Sequence, residues 1–528
     1  MSFRIIGWCL IVVSVVIFLG GCTAPPANEE QTTYWPAHDW RTSTPEEQGL
    51  DSALILALLQ NIQDNHLPIH SVLIVRHGYL VTEVYFPPYQ REFKHPLFST
   101  TKSVTSALVG KALQEGRLND VQQKVLDFFA DIAPDVTDPQ IKNLTLEHLL
   151  TMSAGFNTNT MPDLSSKLAA DGTIKHILTY DSILAKPGTT FYYDSGLPHL
   201  LSAVVQRVTG RTLQQYAEEK LFDPLSISNV SWAADPQGVT LGNTGLMLRS
   251  PDLAKLGYLF LQHGQWNGTQ VLPDAWVTAA TRKHMETRGL MNAAEDDGYG
   301  YLWWIDRWGG YSAHGFGGQY LFVLPAQDMV VVFTSGLPDS NFPMPKQLIE
   351  TYVLPAAKST TALPPNLQAL NALQKQIQDI EQPAQPLDPL PEIAQRISGK
   401  TYRLTSAMPV DAWFQTITFT FDGGNTYQSE SQWPGDQHVV VKGGLNNVFQ
   451  YTPIRFKGFQ PSEDVIVALR GRWQDDHTFV EEYVRDMNSE IAFITQKSTF
   501  AGNRIVIALT SNMQPYTLKA EGEMIPCP

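Results

Sequence analysis

Cysteine is scarce in this sequence, which contains only Cys9, Cys22 and Cys527 among 528 residues. None of them forms a C-x-x-C pair, and the H-E-x-x-H motif is absent as well. Because most protein zinc sites use one of these spacings, we expect no metal centre. The glycine-rich run Gly315–Gly318 leads to Tyr320, where a dinucleotide-binding motif needs glycine, so we expect no cofactor either.

Positive charge is also in short supply. Lys and Arg together number 37 against 52 Asp and Glu, which gives a net charge of −15 at pH 7. Such a chain would not neutralise phosphates, and this argues against nucleic acid as a partner. The G-x-S-x-G elbow of the α/β-hydrolases is missing too, since Thr151–Gly155 lacks its first glycine.

The longest apolar run, Ile5–Leu19, is shorter than the roughly 20 residues that a membrane-spanning helix needs. It ends in the small residues Leu19-Gly20-Gly21-Cys22, which resemble a bacterial lipobox. We therefore expect a signal peptide at 1–22, lipidation of Cys22, and a membrane-anchored lipoprotein outside the cytoplasm, periplasmic or on the cell surface. An uncleaved N-terminal anchor is the alternative. Either way, the rest of the chain lies outside the cytoplasm. After lipidation of Cys22, Cys527 is the one thiol left in the mature chain, so we expect no internal disulfide.

The rest of the chain divides by composition, and 528 residues suggest two or three domains. A polar tether at 23–44 precedes a mixed helix and strand region at 45–356. A proline-rich linker with a helix near 366–381 occupies 357–392. From 393 to 528 short alternating strands separated by turn signals predict a small antiparallel barrel or sandwich.

Within 45–356 the hydrophobic patterns predict a sheet built from distant parts of the chain. The early part of the region predicts a hairpin, and the late part predicts two strands separated by Pro325. Helices lie between them. Such an order indicates an α+β or α/β fold. The predicted elements are the hairpin at 71–86, helices at 99–115, 197–220 and 250–263, and strands at 320–324 and 329–334.

The stretch Leu97–Leu113, LFSTTKSVTSALVGKAL, contains the main chemical signal. Ser99 and Lys102 are three residues apart, so at a helix start both side chains face one cavity. A serine needs a base to become a nucleophile, and burial lowers a lysine pKa enough to make it that base. Taken alone, the Ser99 and Lys102 spacing is weak evidence for a catalytic pair, because a helix start with a solvated lysine has the same pattern.

Further motifs strengthen this interpretation by their order along the chain: FSTTKS, LTLEHLLTMSAGF, PGTTFYYDSG, LFDPLSI, SPDLAKLG, YGYLWW and the glycine-rich entry to strand 320–324. With this set the chain resembles the β-lactamase-like serine hydrolases over about residues 43–355. That family includes class C β-lactamases, DD-peptidases, family VIII esterases and 6-aminohexanoate-dimer hydrolases. The resemblance implies an antiparallel sheet flanked by helices, with an all-helical subdomain.

The resemblance also implies roles for individual residues. Ser99 would be the acylated nucleophile, Lys102 its base, and Tyr193 the group that relays protons to the leaving group and from water. The alternative for Tyr193 is a core aromatic. The oxyanion hole would use the backbone N–H groups of Ser99 and Phe316, with the register at Phe316 open by one or two residues. Trp304 is expected in the core or at the pocket mouth.

Two departures from the family pattern direct the choice of substrate. Ser195 replaces the asparagine of the Y-x-N element, and Ala313 and His314 stand where the K-T-G or H-T-G triplet has its first two residues. Loss of that lysine favours esters or small amides over β-lactams. The predicted substrate pocket contains Ser195, His314, Gly315, Gly317, Gly318 and Gln319.

We thus expect a serine hydrolase that acts on a small ester or amide. The first alternative is a β-lactamase or a peptidoglycan DD-peptidase, which would take a β-lactam-like substrate. The second is a non-catalytic lipoprotein that binds cell-wall or other ligands through the β-domain at 393–528. That domain could also cover the active site or stabilise the hydrolase.

Overall fold

The computed structural model describes residues 34–37, 39–179, 183–287, 296–338, 341–382, 389–405, 414–435, 437–455 and 465–526. The predicted signal peptide with Cys22, and the first half of the predicted tether, lie outside these residues. Within the described ranges, no helix has both the length and the apolar character needed to cross a membrane.

Helices in the described chain vary from single turns to four turns. Asp51 caps α1 by accepting a hydrogen bond from the Ala53 N–H (2.9 Å), and Thr212 caps α6 by accepting from the Gln215 N–H (3.1 Å). The α-helices are α1 Ser52–Asp64, α2 Thr101–Gln114, α3 Leu146–Leu150, α4 Lys167–Leu178, α5 Gly196–Thr209, α6 Leu213–Ala217, α7 Ser250–Leu261, α8 Asp274–Ala280, α9 Met344–Leu348, α10 Leu354–Ala356, α11 Leu367–Glu381 and α12 Glu392–Ile397.

The first domain is built on a seven-stranded antiparallel sheet in the order β2-β1-β12-β11-β10-β9-β8. It joins a hairpin from the start of the domain to strands from its end, as the sequence predicted. The strands of this domain are β1 Ile69–Arg76, β2 Tyr79–Tyr85, β3 His95–Pro96, β4 Ser231–Trp232, β5 Leu246–Leu248, β6 Gln265–Trp266, β7 Thr269–Gln270, β8 Asp296–Tyr299, β9 Trp304–Asp306, β10 Tyr311–Gly315, β11 Gln319–Leu324 and β12 Met329–Ser335.

Both faces of this sheet are buried, which explains its continuous apolar runs. Successive side chains of a strand point to opposite faces. On β12, Val330 and Val332 belong to the core shared with α2 and α7, whereas Val331 and Phe333 belong to the core shared with α1 and α11. The predicted antiparallel sheet flanked by helices is confirmed. The part of the chain around α3–α6 forms the helical portion.

The single helix predicted at 197–220 is wrong, because two helices occupy this stretch. Gly210 ends α5 with φ of +70° in the left-handed region, and Thr212 then begins α6 with a capping box. The helix predicted near 366–381 is present as α11. Its Leu373 and Ile380 are buried in the α1 core. The predicted linker therefore includes a helix packed on the first domain.

The C-terminal residues form a barrel and not a sandwich. Ten strands follow the order β16-β15-β14-β13-β22-β21-β20-β19-β18-β17, and β16 also pairs with β18 at Gly444 and Arg470, which closes the sheet. The strands are β13 Lys400–Leu404, β14 Thr416–Phe421, β15 Thr426–Trp433, β16 Gln437–Gly444, β17 Gln450–Ile454, β18 Val465–Trp473, β19 Thr478–Val484, β20 Ile494–Ala501, β21 Arg504–Ser511 and β22 Gln514–Met524.

Candidate active site

Ser99 lies in a tight helical turn, Phe98–Thr100, directly before α2. Phe98 has φ of +46°, in the left-handed region that a phenylalanine rarely adopts. Such strained backbone persists only where the surrounding structure holds it, and it is common at functional sites. The turn places the Ser99 side chain beside the first turn of the helix that carries Lys102.

Lys102 is buried, with 2 % of its surface exposed. Its Nζ lies 2.8 Å from Ser99 Oγ and donates a hydrogen bond to the Asn243 carbonyl oxygen at 3.0 Å. Burial lowers the pKa of Lys102 to about 7, although the nearby Asp194 opposes that shift. Near neutral pH a substantial fraction of Lys102 is therefore an uncharged amine that can accept the serine proton.

Tyr193 contacts both Ser99 and Lys102. Its hydroxyl is hydrogen-bonded to Ser99, and the centroid of its ring lies 4.9 Å from Lys102 Nζ. Burial raises the pKa of Tyr193 to about 12, so the phenol keeps its proton at neutral pH. The ring stacks on Trp304 with centroids 5.7 Å apart, which fixes its orientation.

Asp194 holds the loop that presents Tyr193. It is fully buried and accepts hydrogen bonds from the backbone N–H groups of Thr160 (2.9 Å) and Gly196 (2.8 Å), and from the Thr160 hydroxyl. The next residue, Ser195, donates its backbone N–H to Asn159 Oδ1 at 2.9 Å. Ser195 thus stands at the N-terminus of α5, two residues from Tyr193.

The end of β10 forms the wall of the site beside the turn that carries Ser99. A Cβ added to Gly315 would lie only 2.2 Å from the Leu97 carbonyl oxygen, so this strand reaches the serine segment only because residue 315 is glycine. The rings of Phe98 and Phe316 meet at a centroid distance of 5.4 Å. Within the described chain, the Phe316 N–H has no acceptor, which leaves it available to a substrate oxygen.

His314 and Gln319 support this wall. His314 shares a hydrogen bond with the Ser312 hydroxyl at 2.7 Å and stacks on Trp304, and burial holds its pKa well below the usual value, so it is uncharged. Gln319 is fully buried, and its amide bonds the Phe316 carbonyl (3.0 Å) and both backbone groups of Ser335. Its side chain braces the glycine turn instead of facing a substrate.

The structure thus brings Ser99, Lys102 and Tyr193 together, with Phe316 beside them. Gly317 and Gly318 form the turn after Phe316, with φ of +75° and +85°. Among the described residues, no three His, Cys, Asp or Glu side chains cluster to hold a metal ion.

Sequence reasoning missed the Asn243 carbonyl and Asp194. In the sequence, Asn243-Thr244-Gly245 only imitates the K-T-G triplet of the family. No local pattern indicates that the Asn243 carbonyl reaches Lys102. Asp194 follows Tyr193 directly, but its partner Thr160 is distant in sequence.

Comparison with known proteins identifies relatives of the first domain. The family model described as Beta-lactamase matches residues 55–350, more than half of the chain. The 6-aminohexanoate-dimer hydrolase of Paenarthrobacter ureafaciens is 26 % identical over 288 residues, which are 51 % of this chain and 73 % of that enzyme. The lovastatin esterase of Penicillium rubens is 29 % identical over 153 residues, 25 % of this chain and 38 % of the esterase.

Solved structures also align with this chain. The octameric penicillin-binding protein homologue from Pyrococcus abyssi aligns with 88 % of this chain and 99 % of its own, with a TM-score of 0.46 and 15 % sequence identity.

Proposed function

The chain belongs to the beta-lactamase family of hydrolases, and we propose that it is a serine hydrolase that cleaves an ester or a small amide bond through an acyl-enzyme on Ser99. One observation carries the proposal: a buried lysine with a pKa of about 7 lies 2.8 Å from the serine oxygen. The resemblance predicted from the ordered motifs is confirmed by the family match.

Acylation uses the three side chains in sequence. Neutral Lys102 accepts the proton of Ser99 Oγ while that oxygen attacks the carbonyl carbon of the substrate. The backbone N–H groups of Ser99 and Phe316 stabilise the negative charge that develops on the carbonyl oxygen. Tyr193 donates its proton to the leaving oxygen or nitrogen and regains one from the Lys102 ammonium, so the bond to the leaving group breaks with the charge balanced.

Deacylation reverses these proton transfers. A water molecule attacks the acyl carbon and passes its proton to the Tyr193 and Lys102 pair. The bond to Ser99 Oγ then breaks, and the serine regains a proton as the carboxylic acid leaves.

Substrate preference follows from the uncharged wall of the site. In the family pattern a lysine at the position of Ala313 binds a substrate carboxylate. Here Ala313 is buried in β10, and the neighbouring His314 is neutral and engaged with Ser312. A substrate without a carboxylate, such as a simple ester or amide, therefore suits this site better than a β-lactam or a peptidoglycan peptide.

The test compares the soluble form that begins after Cys22 with its Ser99→Ala variant. Both receive a short-chain p-nitrophenyl ester and a chromogenic cephalosporin, and labelling of Ser99 by a fluorophosphonate is located by mass spectrometry. We expect ester hydrolysis to exceed cephalosporin hydrolysis and to fall by about a thousandfold or more in the variant. Ser106→Ala is the matched control, because that serine lies one helical turn beyond Lys102, buried in α2.

Two results would count against the proposal. Faster turnover of the cephalosporin would assign the alternative, a β-lactamase. Equal, negligible turnover by wild type and variant, with no fluorophosphonate label, would favour the non-catalytic ligand-binding lipoprotein.

We also propose that Cys22 is lipidated and that the enzyme is held outside the cytoplasm. The support is the sequence Leu19–Cys22 behind a short apolar run. Metabolic labelling with an alkyne fatty acid tests it: wild type should be labelled and Cys22→Ser should not, and an unlabelled wild type would contradict it.

A further inference from the structure

Aromatic rings fill one part of the interior of the C-terminal barrel, and in the other part the rings of Phe414, Trp433 and Tyr483 line an open space. Beyond Tyr427 on β15, Trp433 faces the same side at the end of the strand, and between these two rings stand the short side chains of Ser429 and Ser431. These short side chains leave a cavity of about 390 Å³ inside the barrel. The buried rings of the filled part belong to Tyr402, Phe419, Tyr427, Phe479 and Phe500.

Apolar side chains from several strands form most of the cavity wall. An engineered protein cavity of about 150 Å³ with such a lining binds benzene, and ligand pockets begin at roughly 300 Å³. The volume here therefore suits a fused two-ring molecule or a medium-length alkyl chain. The apolar wall residues include Ile417, Val439, Val441, Val467, Leu469 and Leu509.

Among the polar residues of this wall, which include Ser429, Arg485 and Gln496, the acid is the buried Glu481. Its Oε1 accepts a hydrogen bond from the Tyr427 hydroxyl at 3.0 Å, and its Oε2 accepts one from Gln496 Nε2 at 2.6 Å. Burial raises the pKa of Glu481 to about 7. The carboxyl group is thus held in a fixed orientation at the cavity, where it can accept a hydrogen bond from a ligand.

We propose that the barrel cavity binds one small apolar molecule that carries a hydroxyl, amide or ammonium group, with this donor placed at Glu481. Barrels of about this strand number are wide enough to enclose one small ligand. Stability does not account for the cavity, because an unfilled void forfeits the packing contacts of its wall. A fatty acid is disfavoured, because its carboxylate would face Glu481, and the other charged residue that lines the cavity, Arg485, is already paired with Glu490 at 2.8 Å. This inference is independent of the chemistry proposed at Ser99.

The experiment titrates the soluble form that begins after Cys22, which keeps every described residue, with N-phenyl-1-naphthylamine. This probe is apolar and uncharged, has one N–H donor, and fluoresces strongly in apolar surroundings. We expect saturable enhancement at one probe per chain, unchanged when Ser99 is first blocked by a fluorophosphonate. The absence of saturable binding by wild type would overturn the proposal.

A pair of neighbouring substitutions on β16 locates the bound probe. Val441 lines the cavity, whereas Val440 is 39 % exposed on the outer face of the same strand. Val441→Trp should weaken probe binding by about tenfold or more, because the indole fills the space, and Val440→Trp should bind as wild type does. Equal binding by both variants would overturn the proposal. If circular dichroism shows that Val441→Trp does not fold, Val467→Phe on β18 replaces it.

Competition then tests the polar part of the ligand. Decylamine should displace the probe at lower concentration than decanoate does, and Glu481→Gln should remove most of that difference while the probe itself still binds. Preferential displacement by decanoate, or an amine preference that survives Glu481→Gln, would overturn the assignment of the donor to Glu481.

Discussion

At the scale of single residues, the buried amine of Lys102 determines the pH at which the site can work. Its pKa is lowered from 10.5 to about 7, so the proton-accepting form predominates above pH 7 and is lost below it. We expect kcat/KM for a p-nitrophenyl ester to fall about tenfold per pH unit below 7 and to level off above. Rates measured at constant ionic strength between about pH 5 and pH 9 check this.

Asp194→Asn supplies the internal control for that profile. The Asp194 carboxylate raises the pKa of Lys102, so its removal should move the midpoint to lower pH. The asparagine keeps an oxygen that accepts from the Thr160 and Gly196 N–H groups. A wild-type midpoint near that of a solvated lysine, or a midpoint unmoved by Asp194→Asn, would contradict the assignment of the base to Lys102.

Local motifs predicted Ser99, Lys102 and Tyr193 as a group, and the structure places them within reach of one another. The S-x-x-K spacing works because it is a property of one helical turn. Their catalytic roles stay predictions. By contrast, the Asn243 carbonyl reaches Lys102 Nζ across 141 positions of sequence, a contact that no local pattern indicates.

At the scale of secondary-structure elements, the close approach of β10 to the serine turn sets the oxyanion position. Gly315→Ala would place a Cβ 2.2 Å from the Leu97 carbonyl oxygen, and both are backbone-bound atoms that cannot rotate away. One of the two segments must move by about 1 Å, which displaces the Phe316 N–H. We expect kcat to fall by about a hundredfold, because errors of this size in catalytic geometry have that effect.

Gly424→Ala in the barrel provides the comparison for that substitution. Its Cβ would meet only the Asp422 side chain, at 3.2 Å, so kcat should stay at the wild-type value. Thermal unfolding of both variants separates geometry from global stability, for which we expect a loss of about 1–3 kcal/mol in Gly315→Ala. Full activity of Gly315→Ala would mean that this approach does not position the oxyanion donors.

Element boundaries were harder to predict than the elements themselves. The β1–β2 hairpin and the β11–β12 pair followed from apolar runs and turn residues. The break between α5 and α6 was missed, although Gly210 followed by Thr212 and Gln215 carries both a helix stop and a capping box. Hydrophobic periodicity continued through the break and outweighed those end signals.

At the scale of the whole molecule, the two-domain plan was predictable and the contacts between domains were not. Alternating short strands indicated a barrel or a sandwich, and only the pairing of β16 with β18 decides for the barrel. The proline-rich stretch suggested a spacer, yet α11 packs against α1, because Leu373 and Ile380 on the apolar face of α11 are buried in the core that α1 shares. Both outcomes depend on pairings between segments far apart in the chain.

The barrel also touches the wall of the active site. A Cβ added to Gly317 would lie 2.4 Å from Ile491 Cδ1, so the buried Ile491 side chain of the barrel packs on the glycine turn that follows Phe316. Beside it, Asn512 Nδ2 donates to the Gly336 carbonyl oxygen at 2.7 Å. The C-terminal domain therefore has a structural route to the site, through the turn that carries the Phe316 N–H.

Ile491→Ala tests whether the barrel supports that turn. Removing the side chain takes away the contact on Gly317, whose backbone at φ of +75° then has more freedom. We expect kcat for the p-nitrophenyl ester to fall by about tenfold with KM little changed, because the turn presents an oxyanion donor and not a ground-state contact. Val506→Ala, which shortens a 41 % exposed side chain on β21, should leave kcat unchanged. Wild-type kinetics in Ile491→Ala would mean that the barrel only rests against the hydrolase domain, whereas a selective loss of kcat would make it part of the catalytic framework.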